Sequence, residues 1–255
     1  MYKLKIENLS VIYHTIDAET HAIDNINFEI KEGEFVSIVG PSGCGKSTLL
    51  NVIANLIKPS NGRVFIDEEE VVNYSNKIGY MFQKDYLLEW RTIFKNITIG
   101  LEIQKKMNSE SIGKINDMLE KYGLSNFKNY YPRQLSGGMR QRAALIRTLA
   151  LNPEVLLLDE PFAALDYQTR LAVSDDIYRI IKAEGKTVLM VTHDISEAVS
   201  LSDRVIVFSK RPAKIKNVHE IKFQIEDRTP LRVREAPEFK DYFNSIWKEL
   251  DVHVE

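Results

Sequence analysis

Nine consecutive residues, Gly40 to Thr48, have the types and spacing that a phosphate-binding loop requires. They read GPSGCGKST and match the pattern G-x-x-x-x-G-K-S/T at every fixed position. Glycines let backbone N–H groups approach phosphate oxygens, Lys46 adds a positive charge for the β- and γ-phosphates, and the Ser47 hydroxyl can hold Mg²⁺. We predict that the nucleotide-binding residues are Gly40, Pro41, Ser42, Gly43, Cys44, Gly45, Lys46, Ser47 and Thr48.

Two adjacent carboxylates, Asp159 and Glu160, end the apolar run at residues 155–158. Asp159 is predicted to hold Mg²⁺ together with Ser47, and Glu160 is predicted to polarise an attacking water. Phosphoryl transfer asks little more of a protein than positioning and charge neutralisation. An acidic pair alone would indicate only a solvated strand end, but the phosphate loop upstream favours the catalytic interpretation.

The single cysteine, Cys44, lies inside the phosphate loop, next to Lys46 and the start of a helix. Both features would lower the pKa of its thiol, which predicts a thiolate that a maleimide reaches and that Mg-ATP protects. The alternative is a small residue that merely fills a loop position.

The elements that must position these residues follow from the apolar pattern. A short apolar run at residues 35–39 predicts a buried strand before the phosphate loop, and the helical spacing of Leu49, Leu50 and Ile53 predicts a helix after it. Strand-like runs at 155–158 and 187–191 flank a predicted crossover helix at 166–184, and residues 92–150 are mostly helical in pattern. The strand–helix–strand order indicates a parallel sheet.

Composition excludes several classes of protein. The 255 residues hold 34 Lys plus Arg and 36 Asp plus Glu, and a net charge of −2 disfavours binding of nucleic acid through bulk positive potential. One cysteine permits no internal disulfide framework and fits a reducing compartment. The chain has neither an apolar run of ~18–20 residues nor a signal-peptide core at its start, so membrane contact is expected only through a partner.

The segment at residues 135–142 reads LSGGMRQR and resembles the signature motif of ATP-binding-cassette (ABC) ATPases. Without its neighbours it would indicate a glycine-rich helix cap. The resemblance covers about residues 2–210 and implies an α/β fold of the P-loop NTPase (RecA-like) type. Such a fold has a parallel-sheet core, N-terminal antiparallel strands and an inserted α-helical subdomain, here at about 85–150. Residues 211–255 would form a short C-terminal extension.

The same resemblance assigns roles to isolated residues. Gln83 resembles the Q-loop glutamine, which touches Mg²⁺ and the water, and His193 resembles the switch histidine at the γ-phosphate. Asp166 resembles the D-loop aspartate at the dimer interface. Tyr13 resembles the aromatic residue that stacks on adenine, with His14 as the next candidate.

The resemblance also implies an ATP-dependent homodimer. The chain has one phosphate loop and one signature segment, and in the family these grip the same nucleotide from different chains. The residues expected to act on ATP held by the partner chain are Leu135, Ser136, Gly137, Gly138 and Gln141.

Residues 84–97 resemble the segment after the Q-loop in nitrate/sulfonate/taurine-type importers, where Leu87 and Trp90 match a Leu-x-x-Trp pattern. The resemblance implies that residues 83–97 contact a membrane permease. Leu88 and Trp90 would contact a membrane permease, or alternatively pack inside the helical subdomain of this chain. Residues 209–215, SKRPAKI, resemble the segment that follows the last core strand in the same group of importers. The spacing of the tail residues fits that group as well, at Phe239, Ile246, Trp247 and Leu250.

We therefore expect a Mg²⁺-dependent ATPase subunit of an ABC importer, peripheral on the cytoplasmic face of the cell membrane and served indirectly by a solute-binding protein. Sulfonate, nitrate, taurine or thiamine-precursor solutes are the candidates, and no nucleic acid is expected. One alternative is an ABC ATPase of a lipoprotein or cell-division system. Another is a non-transport ATPase acting on nucleic acid or ribosomes.

Overall fold

Two β-sheets organise the chain in the computed structural model, which describes residues 2–14, 18–73 and 75–250. The strands in chain order are β1 (Tyr2–His14), β2 (Glu19–Lys31), β3 (Phe35–Val39), β4 (Asn61–Ile66), β5 (Glu69–Glu70), β6 (Ile78–Met81), β7 (Val155–Asp159), β8 (Thr187–Thr192), β9 (Arg204–Phe208) and β10 (Ile215–Glu220). One sheet is antiparallel with the order β2-β1-β4-β5. The other has the order β10-β9-β3-β8-β7-β6 and is parallel except for β10.

Eight α-helices accompany these sheets in the described part of the chain. They are α1 (Lys46–Ile53), α2 (Ile93–Ile103), α3 (Ser109–Lys121), α4 (Gly137–Leu149), α5 (Tyr167–Ala183), α6 (Ile195–Leu201), α7 (Pro230–Glu235) and α8 (Pro237–Leu250). None of the described helices is long and apolar enough to cross a membrane.

The parallel strands are mostly apolar because helices or the second sheet cover both of their faces. Every residue of β3 and β8 is buried. On one face lie α2, α4 and α5, and on the other lie α1 and the antiparallel sheet. These observations confirm the predicted α/β fold class with antiparallel strands at the N terminus.

The register of the parallel sheet aligns the carboxyl ends of β3, β7 and β8, so the predicted site residues that follow these strands lie at the same edge of the sheet. Val39 at the end of β3 pairs with Thr192 of β8, and Asp159 at the end of β7 pairs with Val191. The phosphate loop, His193 and Glu160 follow directly on these strand ends. Ligands of open α/β sheets bind outside the carboxyl ends of the strands, so this edge is where a nucleotide site belongs.

Helices α2, α3 and α4 form a unit inserted between β6 and β7, and α2 packs on α4. Side chains cap the starts of all three helices: Thr92 accepts from Lys95 N, Asn108 from Ser111 N and Ser136 from Met139 N. This unit occupies the region of the predicted helical subdomain, and the domain limits stay a prediction.

The C-terminal helix α8 packs against α6 and β9 through the fully buried Ile246. Phe243 and Trp247, one turn apart, have their rings stacked with centroids 6.1 Å apart. Trp247 itself is 62% exposed. The tail spacing noted in the sequence is therefore the spacing of one amphipathic helix laid on the core.

Candidate active site

The phosphate loop connects β3 to α1. Gly45 precedes α1 with φ of 124°, and no side chain caps the helix start. A β-carbon at Gly45 would lie 2.8 Å from the carbonyl oxygen of Ala22, so only glycine fits there. An uncapped helix N-terminus at the end of a glycine-rich loop is a ready anion site.

Lys46 is buried beneath this loop. Its ammonium Nζ donates to the carbonyl oxygens of Gly40 at 2.7 Å and Pro41 at 3.1 Å. Among the described residues no carboxylate comes within ion-pair distance of it. A buried cation held only by carbonyl dipoles retains its attraction for an anion.

Ser47 and Asp159 form the second part of the site. The Ser47 hydroxyl donates to Asp159 Oδ1 at 3.0 Å, and the Tyr80 hydroxyl lies 3.3 Å from Asp159 Oδ2. Burial raises the pKa of the Asp159 carboxyl, although the hydrogen bonds from Ser47 and Tyr80 act in the opposite direction. A hydroxyl and a carboxylate held together are the oxygen donors that Mg²⁺ prefers, so the residues fit this ion.

Glu160 is the centre of the catalytic group. Its Oε2 lies 3.0 Å from His193 Nδ1 and accepts a hydrogen bond from Gln83 Nε2 at 3.3 Å. The Glu160 backbone has φ of 45°, which is strained for a residue with a side chain. Two residues predicted from separate segments, His193 and Gln83, therefore converge on one carboxylate oxygen of a third, Glu160, whose backbone is of the strained kind that clusters at active sites.

Tyr13, near the end of β1, lies beside the phosphate loop. Its hydroxyl is 3.1 Å from Thr48 Oγ1, and the side chain is 41% exposed. The ring is thus free to meet a planar base next to the phosphates. His14 instead faces Glu19, with Nδ1 to Oε1 at 3.1 Å. The role of Tyr13 stays a prediction.

The signature segment lies apart from these residues. Ser136 caps α4, which begins at Gly137. Both glycines are closely packed, since a β-carbon would lie 3.0 Å from the end of the Leu165 side chain at Gly137 and 2.7 Å from Val173 at Gly138. Leu135 and Gln141 are buried. No hydrogen bond or ion pair within the described residues joins residues 135–141 to the phosphate loop.

Asp166, the predicted D-loop residue, caps α5. Its side chain accepts from Thr169 N at 3.1 Å, and this hydrogen bond lowers the pKa of the Asp166 carboxyl. Within one chain, the role of Asp166 is to cap the start of α5. A contact of Asp166 across a dimer interface stays a prediction.

The prediction of a reactive thiolate at Cys44 is wrong. The side chain is only 2% exposed, and burial raises the pKa of its thiol despite the nearby charges of Lys46 and Arg211. Desolvation of the charged form outweighs the two cations. Cys44 is a small core residue beneath the loop.

The segment after Gln83 separates into a buried and an exposed part. Leu87 is buried, Leu88 is half-buried and Trp90 is 75% exposed. Arg147 of α4 donates to the backbone carbonyls of Asp85 at 2.6 Å and Tyr86 at 2.8 Å. The helical unit thus fixes the segment and presents Trp90 to solvent.

Sequence reasoning missed two residues of the site. Tyr80 joins Asp159 to Asn51 Oδ1, which lies 3.1 Å from the Tyr80 hydroxyl. Arg211 donates to the carbonyl oxygen of Gly43 in the phosphate loop. The alternation of side chains along β6 does not indicate that Tyr80 contacts Asp159 and Asn51. The resemblance at residues 209–215 drew attention to the segment that contains Arg211, but it did not indicate that Arg211 bonds to Gly43.

Comparison with known proteins agrees with this geometry. The family model described as ABC transporter matches residues 23–163. The chain is 40% identical to the aliphatic sulfonates import ATP-binding protein SsuB of Bacillus cereus, covering 97% of this chain and 96% of SsuB. It is 39% identical to the nitrate import ATP-binding protein NrtD of Synechocystis sp., covering 95% of this chain and 93% of NrtD.

Among solved structures, the chain resembles the dimeric ATP-binding cassette MJ0796 in a post-hydrolysis state bound to ADP and Pi. The TM-score is 0.73 at 35% identity, with 86% of this chain and 99% of that chain covered. A phosphate loop, a paired Ser47–Asp159 and a carboxylate at the centre of a catalytic group are what ATP hydrolysis requires. The chain therefore belongs to the ABC transporter ATP-binding family and is an ATPase.

Proposed function

We propose that this chain is the nucleotide-binding subunit that energises an ABC importer for small anionic or zwitterionic solutes of the sulfonate, nitrate and taurine kind. The observation that carries the ATPase part is the convergence of His193 and Gln83 on Glu160 Oε2, at 3.0 and 3.3 Å. The likeness to SsuB and NrtD supports the importer part. Because one relative is named for sulfonates and the other for nitrate at almost equal identity, the ATPase sequence does not select the solute.

In this proposal the chain's own residues divide the work of hydrolysis. Lys46 exchanges its bonds to the Gly40 and Pro41 carbonyls for bonds to nucleotide phosphates. Glu160 accepts a hydrogen bond from the attacking water, while His193 and Gln83 fix the position of its carboxylate. Ser47, Asp159 and Gln83 would hold Mg²⁺, which supplies charge neutralisation at the phosphates.

The proposal includes a homodimer in which each chain completes the partner's site. No hydrogen bond or ion pair of the described residues joins residues 135–141 to the phosphate loop of their own chain, and the Ser136 hydroxyl with the first N–H groups of α4 could receive a phosphate from outside. MJ0796, at 35% identity, is described as dimeric. A twofold dimer would create two composite sites from one self-complementary surface.

Coupling to a permease is proposed to occur through residues 83–97. The segment joins Gln83, which contacts Glu160, to Trp90, which is 75% exposed. Large exposed aromatic side chains are enriched at the energetic centres of interfaces. A permease helix seated on Trp90 could shift Gln83 and so bias closure of the dimer, with the chain peripheral on the cytoplasmic face and a solute-binding protein acting from the other side.

The test uses the only two tryptophans, both exposed. Trp90→Ala and the control Trp247→Ala are each assembled with a permease of the sulfonate, nitrate or taurine importer kind, in proteoliposomes with solute-loaded binding protein. We expect Trp90→Ala to keep the basal ATPase of the isolated chain but to lose stimulation or membrane attachment, whereas Trp247→Ala retains both. Intact stimulation in Trp90→Ala would contradict the coupling surface, and the absence of any permease or solute stimulation with the unchanged chain would contradict the importer.

A further inference from the structure

The loop that follows β9, Ser209 to Lys214, reaches the phosphate loop. The Arg211 guanidinium donates from Nε at 3.1 Å and from Nη2 at 2.6 Å to the carbonyl oxygen of Gly43. Gly43 lies within the phosphate loop and has φ of 72°. A planar guanidinium that donates twice to one oxygen fixes that oxygen more closely than a single flexible donor can.

The loop that carries Arg211 is itself held in place. Within it, Ser209 Oγ accepts from Lys214 N at 2.9 Å and donates to Pro212 O at 3.2 Å. Ala213 is fully buried, and its N–H donates to Ala22 O of β2 at 2.9 Å. These bonds anchor the base from which Arg211 extends.

A second strand contact strengthens the anchor on the other side of Ala213. Asp24 N donates to Ala213 O at 3.0 Å, and the Lys214 ammonium pairs with the Asp24 carboxylate at 2.9 Å. Ala22, in the same stretch of β2, is also the residue whose carbonyl closely approaches Gly45. The phosphate loop therefore packs against β2 at Gly45 and is bonded by Arg211 at Gly43.

The carbonyl oxygens of a phosphate loop are a problem for an anionic ligand, because they carry partial negative charge. Lys46 engages the Gly40 and Pro41 carbonyls, and Arg211 engages the Gly43 carbonyl. Cys44 N donates to Pro41 O at 3.2 Å. If Lys46 turns to the phosphates, Arg211 is the cation left on the loop carbonyls.

We propose that Arg211 is a positioning residue for nucleotide binding, holding the Gly43 carbonyl so that the phosphate loop keeps its binding conformation. Its guanidinium acts through the loop backbone rather than on the reacting atoms. The role lies in affinity for the phosphates and not in the hydrolysis step. The proposal concerns the isolated ATPase and stands or falls independently of the importer assignment.

The test compares Arg211→Ala with Lys210→Ala. The control removes the same charge from the same loop, and Lys210 has no side-chain hydrogen bond or ion pair within the described residues. We expect Arg211→Ala to weaken ADP binding and raise the KM for ATP about tenfold, a factor equivalent to ~1.4 kcal/mol. Its kcat should stay within about twofold, because the Glu160 group is untouched. Lys210→Ala should match the unchanged chain in both.

Thermal unfolding without nucleotide separates positioning from general stability. An unfolding midpoint near that of the unchanged chain, with weaker ADP binding, supports the proposal. Unchanged ADP affinity in Arg211→Ala, or an equal loss in Lys210→Ala, would overturn it. Arg211→Lys keeps the charge but loses the two-donor fork, so severalfold weaker ADP binding is expected there as well. If Arg211→Ala does not fold, unchanged affinity in Arg211→Lys would overturn the proposal in its place.

Discussion

Replacing Tyr80 by Phe removes one oxygen from the Mg²⁺ region and leaves the ring in place. The Tyr80 hydroxyl lies 3.1 Å from Asn51 Oδ1 and 3.3 Å from Asp159 Oδ2, and it has one hydrogen to share between them. The ring stacks on Phe82 with centroids 4.2 Å apart, a contact that phenylalanine retains. The substitution therefore isolates the effect of a hydroxyl that orients the Asp159 carboxylate.

The size of the effect follows from how Asp159 is held. Its Oδ1 accepts from Ser47 and its Oδ2 accepts from Tyr80, and burial already raises the pKa of this carboxyl. Losing a partner that orients a metal ligand typically weakens metal affinity 10–100-fold. Because Tyr80 divides its hydrogen between two acceptors, we expect the lower end of that range, about tenfold.

The assay is ATPase activity as a function of Mg²⁺ concentration at saturating ATP. Tyr80→Phe should need about tenfold more Mg²⁺ for half-maximal activity, with kcat at saturating Mg²⁺ reduced only slightly. Tyr86→Phe is the matched control, since Tyr86 is exposed in the adjacent segment and its hydroxyl makes no hydrogen bond within the described residues. An unchanged Mg²⁺ requirement in Tyr80→Phe, or an equal shift in Tyr86→Phe, would refute the reasoning.

Three further predictions concern Tyr13, Cys44 and Glu197. Tyr13→Ala should raise the KM for ATP about tenfold with kcat near that of the unchanged chain, because base stacking is worth ~1–3 kcal/mol; an unchanged KM would make Tyr13 structural. Because Cys44 is buried with a raised pKa, a maleimide should label the native chain slowly with or without Mg-ATP, and fast labelling blocked by nucleotide would contradict this. Glu197 is buried in α6, and burial raises the pKa of its carboxyl to about 7. The stability that the protonated Glu197 carboxyl contributes is therefore fully present below the unfolded pKa of ~4.3 and is lost as the pH rises through 7. Relative to Glu197→Gln, the unchanged chain should lose roughly 3 kcal/mol of unfolding free energy between pH 4.5 and 7.5 in denaturant titrations, and a pH-independent difference would contradict this.

Local pattern was sufficient to predict the parallel sheet and the position of the phosphate loop. The mostly apolar run at 35–39 predicted a strand buried on both faces, and the spacing of glycine and lysine identified the loop that follows it. Strand ends of a parallel sheet share one edge, so the meeting of Asp159, Glu160 and His193 follows from the fold class.

The sequence could not predict contacts between residues that are far apart along the chain. It also could not predict which of several opposing effects on a pKa would dominate. Arg211 and Gly43 are 168 residues apart, and neither residue type predicts the other. The pKa of Cys44 depends on whether nearby cations or burial dominates, and burial becomes known only with the packing. For the same reason the segment after Gln83 left open whether Trp90 faces the core or solvent.

The assignment of Glu160 as the residue that orients the attacking water is the centre of this account. Glu160→Gln keeps a side chain of the same shape within reach of His193 and Gln83 but removes the negative charge that polarises water. The measurement is the mass of the protein by light scattering in Mg-ATP, with nucleotide content determined on the same fractions. The account predicts a dimer that retains unhydrolysed ATP, with turnover reduced on the order of 10²–10⁴-fold. A Glu160→Gln chain that turns over ATP like the unchanged protein, or that stays monomeric with ATP bound, would contradict it.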